Sequence, residues 1–96
     1  MFHTIKSPGA EIDLEGIWLY SFEEWNERQA DRYYDQLIKG IENLKTNPKI
    51  GKSREHVREG YRSIQINHHI IYYRLDNEII DIIRVLHESM LPAKHL

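Results

Sequence analysis

From Ala10 onward, Leu14, Ile17, Trp18, Ser21 and Trp25 recur at 3.6 residues per turn, which predicts an amphipathic helix with one apolar face. Ser7-Pro8 marks its start: a serine oxygen accepts from orphan amides, and proline suits a first turn where its missing N–H is not needed. Glu11, Asp13 and Glu15 then match the positive end of the helix dipole. Ile12 and Leu19, seven apart, lie off the main face as a second, thinner stripe. A second helix follows almost at once. Asn26 with Gln29 three residues on is a loose capping box, and Ala30, Tyr33, Tyr34, Leu37, Ile38, Ile41 and Leu44 trace its stripe. Asn47-Pro48 ends it, and the tight junction at Trp25–Asn26 predicts an antiparallel helical hairpin.

Elsewhere the pattern is that of strands. Phe2 to Lys6 is a short candidate ahead of the helices. After a Gly-containing basic loop from Lys49 to Glu59, three runs rich in Ile, Val and Tyr cover about 61–66, 69–75 and 78–86. Asn67-His68 and Asp76-Asn77 sit where tight turns belong. The order is β-α-α-β-β-β: an N-terminal strand, an antiparallel helical hairpin, then a three-stranded antiparallel meander. It predicts a single α+β domain over 1–96 with the hairpin packed on the sheet.

Charge changes this picture more than composition does. Residues 1–44 carry four Lys/Arg against nine acids, whereas residues 45–96 carry nine against six, so a net charge of -2 hides a split. Six of the basic residues fall between Lys45 and Arg62, Lys52, Arg54 and Arg58 among them. Such a patch steers an acidic partner, unless it is simply a solvated loop. The chain has no cysteine, which excludes disulfides and thiolate chemistry. No phosphate-binding glycine loop, metal-ligand spacing or triad order occurs, so neither a cofactor nor a metal is expected. No apolar run approaches the ~20 residues of a membrane span and the N-terminus has no secretion-signal core, so a cytoplasmic protein with no membrane partner is expected.

A few residues break the plain folding rules. Arg62 and Arg84 sit inside strand-like runs, where a charge needs either a partner or a functional edge. Asp81, Glu59 and Glu78 are the candidate ion-pair partners. Simple alternation puts Arg84 on the face of Ile82 and Leu86. His87 follows the last strand and is able to titrate near neutrality, or to act as a strand-end hydrogen bonder. His68 and His69 are neighbours pointing to opposite faces, which argues against joint chelation. Trp18, Trp25, Tyr33 and Tyr34 are expected in the core. Ile12 and Leu19, with Ile38 at the edge of the second stripe, are candidates for burial against a partner helix. The closing Met90-Leu91-Pro92-Ala93-Lys94-His95-Leu96 is apolar enough to pack on the sheet or on a target, unless it only covers a sheet edge.

Spread over nearly the whole chain, a set of residues resembles the ParE branch of the RelE/ParE toxins of bacterial toxin–antitoxin systems. They run Ala10-x-x-Asp13-Leu14-x-x-Ile17-x-x-Tyr20, Trp25, Gln29-Ala30-x-x-Tyr33, Asn47-Pro48-x-x-Gly51, Arg58-x-Gly60-Tyr61-Arg62-Ser63, His69-x-Ile71-x-Tyr73-Arg74, Ile83-Arg84-Val85-Leu86-His87 and Pro92-Ala93-x-His95-Leu96. The resemblance implies a β-α-α-β-β-β toxin neutralised in a hetero-oligomeric complex by a small ParD-like antitoxin whose C-terminal segment wraps it. ParE-type toxins are associated with DNA gyrase, and their RelE-type relatives cleave mRNA on the ribosome. Lys52, Arg54, Arg62, Arg84 and His87 partly mimic the basic cluster of the RelE type, but the closing stretch and the Arg-Val-Leu-His motif match the ParE branch. The expectation is a non-enzymatic toxin with no catalytic residue and no sequence-specific DNA binding. Arg62, Arg84, His87, Met90, Leu91 and His95 are the candidate target contacts. Ile12, Leu19, Ile38, Lys52, Arg54 and Arg58 are the candidate antitoxin contacts.

Overall fold

The computed structural model describes residues 1–96. Strand β1 (His3–Lys6) leads into helices α1 (Pro8–Glu24) and α2 (Glu27–Asn43), followed by β2 (Lys52–Ser53), β3 (Tyr61–Ile66), β4 (His69–Asp76) and β5 (Ile79–His87). The sheet order is β1-β5-β4-β3-β2, so the N-terminal strand lies at one edge, parallel to β5. The rest is antiparallel. Both helix starts form as their residues dictate. Ser7 Oγ accepts from the Ala10 N–H at 3.1 Å, and Asn26 Oδ1 from the Gln29 N–H at 2.8 Å. Asn67 and Asn77 hold the two hairpin turns at φ 52° and 56°, a left-handed region that asparagine tolerates well.

The hairpin covers one face of the sheet, and the core lies between: Leu14 from α1, Leu37 and Ile41 from α2, Ile71 and Tyr73 from β4, Ile80, Ile82 and Val85 from β5. Tyr73 is fully buried, yet its hydroxyl donates to Pro48 O at 2.7 Å and accepts from the Gly51 N–H at 2.9 Å. Arg62, beside it in the ladder, donates to Gly51 O at 2.8 Å and Lys49 O at 3.2 Å. Together they pin the segment leaving α2, and Gly51 is required there because a Cβ would run into the Tyr73 ring. The opposite sheet face carries no helix, but Ser63, Tyr72 and Leu86 are buried on it. Arg54 donates to Ser63 Oγ there (2.8 Å), and Arg58 reaches Leu96 O (3.4 Å), so the loop after β2 and the C-terminal tail meet on that side.

Three expectations need correction. The basic loop is not wholly irregular, since β2 pairs Lys52 with Ser63 and Ser53 with Arg62. Two residues are too few for periodicity to reveal. Trp25 is not core: it is 73% exposed, because it caps α1 at φ -125°, ψ -91°, where the helical extrapolation no longer holds. Arg84 does not share a face with Ile82. The β4 ladder pairs Tyr73 with Ile82 and Tyr72 with Arg84, which leaves Ile83 bulged out and reverses the alternation beyond it. Val85, rather than Leu86, therefore faces the helices. No helix is long and apolar enough to cross a membrane.

Candidate functional site: a groove at the free edge of β5

The ladder between β1 and β5 ends at Lys6–Ile82, because the chain turns into α1 at Ser7. Ser7 closes that corner, donating its N–H to Ile82 O (2.9 Å) and its hydroxyl to Ile83 O (2.6 Å). Beyond it, residues 83–87 have no strand on this side. Asp13 stands in for one: its Oδ2 accepts from the Val85 N–H at 2.9 Å, satisfying an amide that an edge would otherwise leave open. The same carboxylate takes Arg84 Nε at 2.7 Å and Nη2 at 2.9 Å, a bidentate pair with both side chains largely buried. The partner expected at Asp81, Glu59 or Glu78 is thus Asp13, 71 positions away along the chain. Gly9 lets the guanidinium stem pass, since a Cβ there would stand 3.0 Å from Arg84 Cδ. Arg84 Nη1 also donates to His95 O (3.0 Å), drawing the tail to the same corner.

What remains open is a groove of about 700 Å³ between α1, the start of α2, the edge of β5 and the tail. Ile12, Tyr20 and Trp25 stand exposed on one wall, and Met90 and His95 on the other. Three imidazoles sit at its end. His69 and His87 meet edge to face with ring centroids 5.3 Å apart, and His68 lies 6.5 Å from His87. Tyr33 bonds His69 Nδ1 at 2.6 Å, while His68 Nδ1 bonds Glu88 at 2.8 Å. Burial, with His87 and His68 close by, lowers the His69 pKa to about 4, so this ring is neutral at pH 7. The His68 hydrogen bond holds the Glu88 carboxyl below its usual range.

A measurable consequence is a pH dependence of stability. The folded pKa of His69 lies below the unfolded value of 6.5, so its contribution is fully present above pH 6.5 and is lost as the pH falls towards 4. After allowance for the ring's partial exposure, the loss should be roughly 1 kcal/mol or less per pH unit. Urea unfolding at pH 7, 6 and 5 should show a shallower decline for His69→Gln than for the wild type. Equal slopes would remove His69 as the cause.

The groove gathers some of the sequence candidates and leaves others out. Arg84, His87, Met90 and His95 line it together with Ile12. Leu91 is 60% exposed on the tail and Leu19 is 51% exposed on α1, but neither lines the groove. Ile38 is packed against the core, so Ile12, Leu19 and Ile38 do not form one surface. Arg62 is engaged with the loop carbonyls, Arg54 with Ser63 and Arg58 with Leu96, while Lys52 is exposed on β2. Asp13, Tyr20, Tyr33 and His69 belong to the groove although the residue-by-residue reading did not single them out as site residues. Asp13 reads locally as a helix-dipole acid, Tyr33 as core and His69 as half of a poor chelating pair, and only the spaced pattern of the family resemblance holds all four.

A helical hairpin on one face of a five-stranded sheet, with an open apolar groove where one strand loses its neighbour, defines a small two-layer α+β protein. The profile of the ParE toxin of type II toxin–antitoxin systems, parDE, matches residues 5–92. The chain is 38% identical over 93 residues to Toxin ParE1 of Mycobacterium tuberculosis, covering 96% of this chain and 95% of that one. To Toxin ParE1 of Caulobacter vibrioides it is 39% identical over 87 residues, covering 91% and 90%. Among solved structures, the chromosomal ParDE system of P. aeruginosa superposes with a TM-score of 0.80 at 17% identity, covering 91% of this chain and 96% of that one. The YoeB–YefM toxin–antitoxin complex of Staphylococcus aureus superposes with a TM-score of 0.62 at 18% identity, over 91% and 97%. These two likenesses bear on the fold. The chain belongs to the ParE toxin family of type II toxin–antitoxin systems.

Proposed function

We propose that this toxin inhibits growth by protein contact with a replication target, DNA gyrase, in the cytoplasm, and that a ParD-like antitoxin neutralises it by laying an amphipathic segment in the β5 groove. The observation that carries the docking reading is the exposure of large apolar side chains around one concavity: Ile12 at 69%, Tyr20 at 65% and Trp25 at 73%. Exposed apolar clusters of this kind mark interaction sites on small proteins. The basic residues from Lys45 to Arg62 add charge suited to an acidic extension of the same partner. Gyrase as the target rests on the family resemblance.

Antitoxin docking is tested by charge insertion. Trp25→Asp with Tyr20→Asp should weaken binding of the cognate antitoxin by about 2 kcal/mol or more, the cost of losing central anchors. Both side chains are exposed, so the fold should be unaffected. An unchanged affinity would move the antitoxin to another surface. The mode of action is tested by running a gyrase supercoiling assay beside a ribosome-coupled mRNA cleavage assay. Inhibition of supercoiling without cleavage is expected. Cleavage that His87→Ala abolishes would instead make the chain a RelE-type ribonuclease, since losing an acid–base group costs roughly 10²–10⁴-fold in rate.

A further inference from the structure

Hydrogen-bond directions at the end of the groove fix two ring tautomers. Tyr33 Oη accepts the His68 backbone N–H at 3.2 Å, and His69 Nδ1, at 2.6 Å, is the acceptor the chain offers to the hydroxyl proton. His69 Nδ1 is therefore an acceptor and its ring proton is on Nε2. His87 Nδ1 accepts the Ser89 backbone N–H at 3.1 Å, with Ser89 Oγ at 2.7 Å from the same nitrogen, so its ring proton is also on Nε2. Both rings line the groove, and the hydrogen bonds each ring makes within the chain are made through Nδ1.

The charged neighbours are already committed. From α1, Asp13 holds Arg84 and the Val85 N–H; from the tail, Glu88 holds His68 and Gln65, and His95 lends its carbonyl to Arg84. From α2, Tyr33 contributes a hydroxyl whose pKa burial raises, so it stays protonated. The groove thus ends in two imidazole rings with centroids 5.3 Å apart, and no group of this chain accepts a hydrogen bond from either Nε2. A carboxylate, with two acceptor oxygens, is the side chain able to take one N–H from each ring.

We propose that His69 and His87 form a carboxylate-binding subsite of the groove, gripping the side chain of an aspartate or glutamate that the docked partner segment carries among its apolar anchors. This rests on the docking reading above and adds the chemistry that orients the segment. Apolar contact with Ile12, Tyr20 and Trp25 supplies area but little register. A single acid seated between two fixed donors sets the register, and a partner lacking it leaves both donors unmet.

The test needs no antitoxin. The full chain, labelled with ¹⁵N, is titrated at pH 7 with butyrate and separately with butyramide, its neutral isostere, and the imidazole nitrogens are followed by long-range ¹H–¹⁵N spectra. Butyrate should shift the Nε2 resonances of His69 and His87 together and saturably, and butyramide should leave them in place. His87→Gln keeps an N–H donor near the Nε2 position and should retain butyrate binding. His87→Leu should weaken it roughly ten- to hundredfold, as expected for one lost hydrogen bond to a charged group. Equal responses to both probes, no response to either, or equal affinity in the Leu variant would overturn the subsite. Failure of docking shows separately, as antitoxin affinity that survives Trp25→Asp with Tyr20→Asp.

Discussion

Replacing Asp13 with alanine should destabilise the protein by about 3 kcal/mol, the low end for breaking a buried charge pair. At roughly 4–8 °C per kcal/mol for a domain of this size, the melting temperature should fall by more than about 10 °C. One carboxylate satisfies Arg84 Nε, Arg84 Nη2 and the Val85 N–H, so its loss leaves those three donors without an acceptor, with only the Nη1 bond to His95 O remaining to the guanidinium. Asp13→Asn keeps a neutral acceptor and should cost less. Asp13→Ala combined with Arg84→Met removes both charges and should recover part of the loss, because the penalty comes mainly from the charge left unpaired. Thermal unfolding of the three variants decides the matter. A single Asp13→Ala change within about 0.5 kcal/mol of the wild type would show that the pair is ornamental. The groove should suffer too, since Asp13 and Arg84 form its wall at the tail end.

Deleting residues 89–96 should lower stability by about 2–3 kcal/mol, and antitoxin binding and growth inhibition should weaken with it. The tail gives Arg84 the His95 carbonyl and Arg58 the Leu96 carbonyl. Hydrogen bonds to charged groups contribute about 1.5–3 kcal/mol each, less where water replaces the lost carbonyl. The tail therefore ties the Arg84 corner of the groove to the Arg58 loop. If the truncated protein melts as the wild type does, still binds antitoxin and has lost only toxicity, the tail is part of the target surface. If it remains fully toxic and fully stable, it has neither role.

The elements themselves were legible in the sequence. Helical spacing in 10–44, serine and asparagine caps, and asparagine turns between β-branched runs are local signals, read within a few residues of where they act. They determined the order of elements, both helix starts and the two hairpins. The charge split between the halves, and the anomaly of an arginine inside Ile83-Arg84-Val85, were equally plain. Meaning was harder to read than anomaly. That Arg84 is paired depends on Asp13, brought to it because β1 lies parallel to β5 and returns the start of α1 to the bulge. No local pattern encodes that contact, and the one-residue bulge at Ile83 inverted the face assignments that simple alternation supplied. Trp25 was misread for a related reason: periodicity continues past a helix end, but the helix does not. The groove itself is a tertiary product. It exists because β1 stops at Lys6 while β5 continues to His87, and because the β4–β5 register and the seat of α2 on the sheet place His69, His87 and Tyr33 beside the exposed side chains of α1.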